Sequence, residues 1–243
     1  MRIDTLCNNI YDIGFELEVN DNFKRNVINK IESKIKIDRK NEVGTQTEIL
    51  NRESAWSYLH KVDDDLVKYI EKVQRKNKGS DMTAGSCHLH IFTKLKTDYI
   101  DRENLRRLVA RLINATWIWP LRGHRLYRHF MWLRHYELKV SFLTIRNTNI
   151  LDFEFRLNEQ FPKFGVIAYY ITLIYLAINK KDLGLKYVPN WNPQVVQPYS
   201  RRHKPNILFE KEAKKNYKKL LPYINKVEEK LRKKQQNEFK LLI

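Results

Sequence analysis

Apolar and polar positions alternate along IYDIGFELEV, Ile10 to Val19, with Ile13, Phe15, Leu17 and Val19 on one side and Gly14, Glu16 and Glu18 on the other. A period of two predicts a β-strand from about Tyr11 to Val19 with one buried face. Two carboxylates two residues apart on one face sit roughly 7 Å from each other and repel, so a positive partner would relieve them. The same pattern returns three times. CHLHIF sets His88 and His90 against Cys87, Leu89 and Ile91. LDFEFRL sets Glu154 and Arg156 against Phe153, Phe155 and Leu157. GTQTEIL brings Gln46 and Glu48 together, with Thr45 and Thr47 weakening the contrast.

Between these strands the spacing turns helical. Asp21 is placed to cap a helix from about Asn22 to Lys36, and a strand is predicted over Glu42 to Leu50. Trp56, Leu59, Val62, Leu66, Ile70 and Val73 predict a helix over Ser54 to Gln74. RKNKGSDMTAGS, Arg75 to Ser86, has the composition of a loop. Asp101 opens a helix to about Ala115 with Leu105, Leu108, Val109, Leu112 and Ile113 on one stripe. KVSFLTIR and ILDFEFRL read as two further strands, and Phe164 to Asn179 as a buried core helix. No internal repeat is present.

Composition narrows the class. The 243 residues suffice for one large domain or two small ones. A net charge of +18 favours acidic partners such as nucleic acid, nucleotide phosphates or an anionic surface. Two cysteines, Cys7 and Cys87, cannot build a disulfide framework or a Cys-rich zinc site. The N-terminus lacks an apolar core of signal-peptide length. FGVIAYYITLIYLAIN is too short and too tyrosine-rich for a membrane span. The expectation is a cytoplasmic protein without a membrane partner.

If the four polar pairs line one concavity, it holds Glu16, Glu18, Glu48, His88, His90, Glu154 and Arg156. Oxygen-rich sites with an occasional imidazole suit Mg²⁺ or Mn²⁺ better than Zn²⁺. Arginine grips phosphate oxygens in a fork. Carboxylates, a divalent ion and such an arginine together suggest phosphoryl chemistry on ATP.

The order Glu-x-Glu, Gln-x-Glu-Ile, His-x-His, Glu-x-Arg resembles the glutamine synthetase and glutamate–cysteine ligase superfamily. The amidoligase family of carboxylate–amine ligases is the nearest likeness, through GFELEV and IRNTNILDFEFR, and the likeness runs from about Gly14 to Ala177. It implies an α+β fold, a curved antiparallel β-sheet with helices packed on its outer face as in the glutamine synthetase catalytic domain. It implies an ATP-dependent ligase that phosphorylates a carboxylate and passes the acyl group to an amine. By position, Glu16, Glu18, Glu48, His88 and Glu154 match the divalent-ion ligands. Arg156 matches the arginine at the transferred phosphate, His90 the second histidine near phosphate and substrate, and Arg146 is a further phosphate contact. Arg156, His90 and Glu48 are then the catalytic candidates, Arg146 and Arg156 the nucleotide contacts. Ser86 stands where the family usually has glycine, two residues before the first histidine, and the chain has seven glycines in all.

Two other classes compete. His88 and His90 also suit an endonuclease of the His-hydrophobic-His kind, with Tyr169 or Tyr170 as nucleophile. A non-enzymatic nucleic-acid-binding or structural protein on a degenerate ligase fold would account best for the charge.

The rest of the charge is local. From Asn104 to Tyr136 there is no acidic residue, and Arg106, Arg107, Arg111, Arg122, Arg125, Arg128 and Arg134 interleave with aromatics. Such a stretch suits a nucleic acid, an acidic protein or ATP. KYVPNWNPQVVQPYSRRHKP has four prolines and no acid, the mark of an extended arm suited to subunit contacts in a homo-oligomer. Ser200 to Ile243 carries 14 Lys plus Arg and 5 Glu. Phe209 to Phe239 reads as one or two basic amphipathic helices, a solvated appendage or a contact for a nucleic acid or an acidic protein partner. The chain thus divides into an amidoligase-like domain over 1–185, an arm over 186–208 and a basic helical tail over 209–243.

Overall fold

Six strands hydrogen-bond side by side, every pair antiparallel, in a computed structural model that describes residues 1–20, 29–30, 37–41, 46–51, 87–94, 101–116, 138–145, 147–158, 164–186 and 207–240. They are β1 (Ile10–Asn20), β2 (Ile37–Asn41), β3 (Gln46–Asn51), β4 (Cys87–Thr93), β5 (Leu138–Ile145) and β6 (Thr148–Asn158). The order across the sheet is β2-β3-β1-β4-β6-β5, so β1 and β4 lie at its centre. Four helices accompany the strands among the described residues: α1 (Ile3–Asn9), α2 (Arg102–Thr116), α3 (Phe164–Ile178) and α4 (Ile207–Lys240).

The alternation read from the sequence explains which face is covered. Ile13, Leu89, Ile91, Leu151, Phe153 and Phe155 are all buried in one cluster with the helices. α3 lies against them. Its residues from Ile167 to Ala177 are buried without interruption, as expected of a helix apolar on every side. Tyr170 stacks on Phe155 at 4.2 Å between ring centroids. The Tyr169 hydroxyl pairs with Thr116 Oγ1 at 2.8 Å, and burial holds its phenol well above the usual range. α2 begins where the sequence predicted, with Asp101 Oδ1 accepting from the Asn104 backbone N–H at 3.1 Å. Its stripe of Leu105, Val109, Leu112 and Ile113 joins the same core.

α4 differs from its expected character. The basic tail is one helix, and it is not an appendage. Ala213, Leu220, Ile224, Val227 and Leu231 recur at helical spacing and are buried, the last four in the core shared by the sheet and α3. Lysine-rich turns had concealed an apolar stripe three and four residues apart. Asn216, on the same side, is buried and ties three backbone groups together. Its amide donates to the carbonyls of Ala115 (2.9 Å) and Lys186 (2.7 Å) and accepts from the Lys186 N–H (3.1 Å). α1, which the alternation did not predict, rests on α4: Lys230 Nζ lies 2.9 Å from Asp4, and Lys234 donates to the Ile10 carbonyl at 2.7 Å. β2 was also missed, because IDRKN has a single apolar residue and sits at the edge of the sheet. The expected helices over Asn22–Lys36, residues 29–30 apart, and Ser54–Gln74 lie outside the described residues, as do the loop over Arg75–Ser86 and residues 187–206 of the arm, whose last two positions, 207 and 208, begin α4.

α1 also carries a buried thiol. Burial pushes Cys7 up to about 11, from 9.0. A neutral thiol is favoured in the fold, so this contribution to stability is complete below pH 9 and falls away as the pH rises towards 11. In a Cys87→Ser background, native Cys7 is expected to react with a disulfide reagent at pH 8 at least about a hundredfold more slowly than the urea-unfolded chain. Equal rates would place the thiol at the surface.

Candidate functional site

The face of the sheet turned away from the helices carries the polar pairs, and the register determines which of them meet. Glu18 pairs with Glu48 across β1 and β3, and Glu16 with His88 across β1 and β4. Gly14 pairs with His90, and His90 pairs in turn with Glu154 across β4 and β6. Residues directly opposite in antiparallel strands share a face. Positions 16, 18, 48, 88, 90 and 154 therefore lie on one side of four neighbouring strands. Gly14 faces His90 across a pair of central strands where other residue types would add a side chain.

The described side chains on this face are tightly held. His88 is 8% exposed, Asp152 7% and Glu154 4%. Carboxylates so buried need partners, because an unpaired charge out of water is costly. Asp152 receives the Nδ1 of His90 across both oxygens, at 3.1 and 3.2 Å. Glu154 faces His88 Nδ1 at 3.7 Å through one oxygen and Lys139 Nζ at 3.7 Å through the other. The His90 ring also stacks on Phe92, 5.7 Å between centroids. Bonded to a carboxylate through Nδ1, the imidazole is fixed in orientation, with Nε2 directed elsewhere.

Asp152 and Lys139 were not singled out from sequence. Asp152 continues the alternation of Glu154 one step earlier, as Asp-x-Glu-x-Arg, and that was its signal. Lys139 announced itself only through its partner, since Lys139 opposes Glu154 in the β5–β6 register. Arg156 was placed on the face of Glu154 by strict alternation. The pairing interrupts that alternation: between the pairs Cys87–Asn158 and Leu89–Phe155, one residue of β4 is matched by two of β6, at positions 156 and 157. Position 156 thus lies in a bulge, a feature that re-aims a strand locally. The side chains of Glu16, Glu18, Glu48 and Arg156 lie outside the described residues, and so does Arg146 altogether.

No group of three or more His, Cys, Asp or Glu side chains is arranged to hold a metal ion among the described residues. His88 and Glu154 supply one nitrogen and one carboxylate, a donor pair suited to a hard divalent cation. Further oxygens would have to come from the register-aligned positions 16, 18 and 48.

The tyrosines required by an endonuclease lie behind the sheet. Tyr169 and Tyr170 are each 1% exposed, in the helix-covered core, with the sheet between them and His88 and His90. Part of the arginine stretch is neutralised from just outside it: Glu103 accepts from Arg106 at 2.8 and 2.6 Å and from Arg107 at 2.9 Å. Chiefly through Arg106, these bonds lower the Glu103 carboxyl to about 2. Arg122, Arg125, Arg128 and Arg134 lie outside the described residues. No helix among the described residues is long and apolar enough to cross a membrane. Comparison with protein-family models, curated proteins and solved structures finds no match.

Proposed function

We propose that this chain is an ATP- and divalent-metal-dependent carboxylate–amine ligase on a glutamine synthetase-like sheet. The observation that supports it most directly is the register: Glu18 with Glu48, Glu16 with His88 and His90 with Glu154 step diagonally across one face of four neighbouring strands. Glu16, Glu18, Glu48, His88 and Glu154 would hold Mg²⁺ or Mn²⁺. A bound divalent ion would offset the charge of the ATP phosphates. Arg156 and Arg146 would meet the phosphate oxygens. A substrate carboxylate oxygen attacks the γ-phosphorus and ADP leaves. The amine nitrogen then attacks the acyl carbon, the C–O bond breaks, inorganic phosphate departs and the nitrogen loses a proton. Asp152 would fix the His90 ring beside that exchange, and Lys139 would balance the charge of Glu154.

Calorimetry of ATP with Mg²⁺ or Mn²⁺ tests the reading, on the wild type and on Glu16→Ala/Glu18→Ala. Divalent-dependent binding is expected in the wild type, weakened at least about tenfold in the variant, in line with the loss of a metal-site partner. The two carboxylates lie in a central strand, so matched circular dichroism spectra accompany the titrations. No binding by a folded wild type with either ion, or equal binding by the variant, would end the ligase reading.

A further inference from the structure

We propose that the first half of α4, with the segment 180–186 beside it, is a docking surface for the phosphate backbone of a nucleic acid. This goes beyond the ligase reading, and it rests on none of the residues of that site.

Lys211, Lys215 and Lys218 recur at intervals of four and three and so fall on one side of the helix. All three are exposed, while Ala213, Asn216 and Leu220 on the other side are buried. The helix is thus held against the core with its lysines outward. A second segment widens the patch. Lys219 donates to the Gly184 carbonyl, and the backbone of exposed Lys186 is bonded to Asn216. From 207 to 226 there are six lysines and two acids, Glu210 and Glu212, the second of which lies 3.6 Å from Lys215.

The second half of the same helix is basic too, but its charge is spent internally. Lys230 pairs with Asp4 at 2.9 Å, Arg232 with Glu228 at 2.6 Å and Lys233 with Glu229 at 2.5 Å. No ion pair among the described residues reaches Lys211 or Lys218. Residues 207–226 thus carry a net charge of +4 against +2 over 227–240, where most of the basic side chains are paired.

Charge and shape select the partner. Ammonium groups are hydrated point charges without the fork that reads a particular anion, and a row of them suits a row of phosphates regardless of sequence. A membrane-surface helix would need its apolar side available to lipid, whereas here that side is buried in the core.

Fluorescence anisotropy with a labelled random-sequence DNA duplex, at several salt concentrations, tests this on the full chain. Binding should weaken with salt at a log–log slope of about −3 to −5, near 0.9 per phosphate contacted. Lys211→Glu/Lys215→Glu/Lys218→Glu should bind at least about tenfold more weakly, with a shallower slope. Lys233→Gln, at a paired position, should stay within about twofold of the wild type. Circular dichroism establishes that the variants are folded. Unchanged affinity in the triple variant would overturn the proposal. So would a duplex ignored by a wild type that instead binds phosphatidylserine vesicles or polyglutamate.

Discussion

A chain cut after residue 206 is expected to lose cooperative unfolding altogether. α4 contributes Leu220, Ile224, Val227 and Leu231 to the core, all buried. Burying a side chain of this size contributes about 1.5–3 kcal/mol, so the four supply roughly 6–12 kcal/mol. That matches the whole stability of an ordinary domain, about 5–15 kcal/mol. Removing the helix would also uncover one side of α3, which is apolar all round. Thermal and urea unfolding followed by circular dichroism would show a broad, shallow change in place of a transition. A cut chain that melts as sharply as the full one would mean that the domain ends near 185 and the last helix is dispensable.

Replacing Asn216 by leucine should be the most damaging single polar substitution among the described residues. The amide serves the Ala115 carbonyl, at the end of α2, and both backbone groups of Lys186. A buried backbone group left without a partner costs about 1–3 kcal/mol. Lys186 is exposed and can turn to water, so the expected loss is ~2–5 kcal/mol, below the full sum. It would be read as a drop in the urea midpoint with an unchanged slope. A loss under about 0.5 kcal/mol, the range of an ordinary surface change, would mean that the three bonds are not made in solution.

Asn216 also marks a limit of what the sequence could reveal. Its partners lie 101 and 30 residues away, and an asparagine in a lysine-rich run carries no local sign of burial. β1, β4 and β6 were legible because each turns apolar groups to the core and polar ones away, a contrast with a period of two. α3 was legible because it is apolar throughout. The apolar stripe of α4 was equally present, but the charge around it drew the reading towards solvent. At the candidate site the residue types and their order could be read, and the pairing could not. Which glutamate meets which histidine is set by hydrogen bonding between distant strands. The bulge at 156 breaks an alternation that the sequence leaves intact.

The lock between α1 and α4 has a consequence in time. Asp4 meets Lys230, and the Ile10 carbonyl meets Lys234, across almost the whole chain. β1 leaves the ribosome well before β4, which pairs with it some seventy residues later. Closure of such distant contacts is slow, and it leaves strand edges and apolar faces open while synthesis continues. The core of this sheet therefore closes only once α4 has been made, and a central strand must wait more than two hundred residues for it.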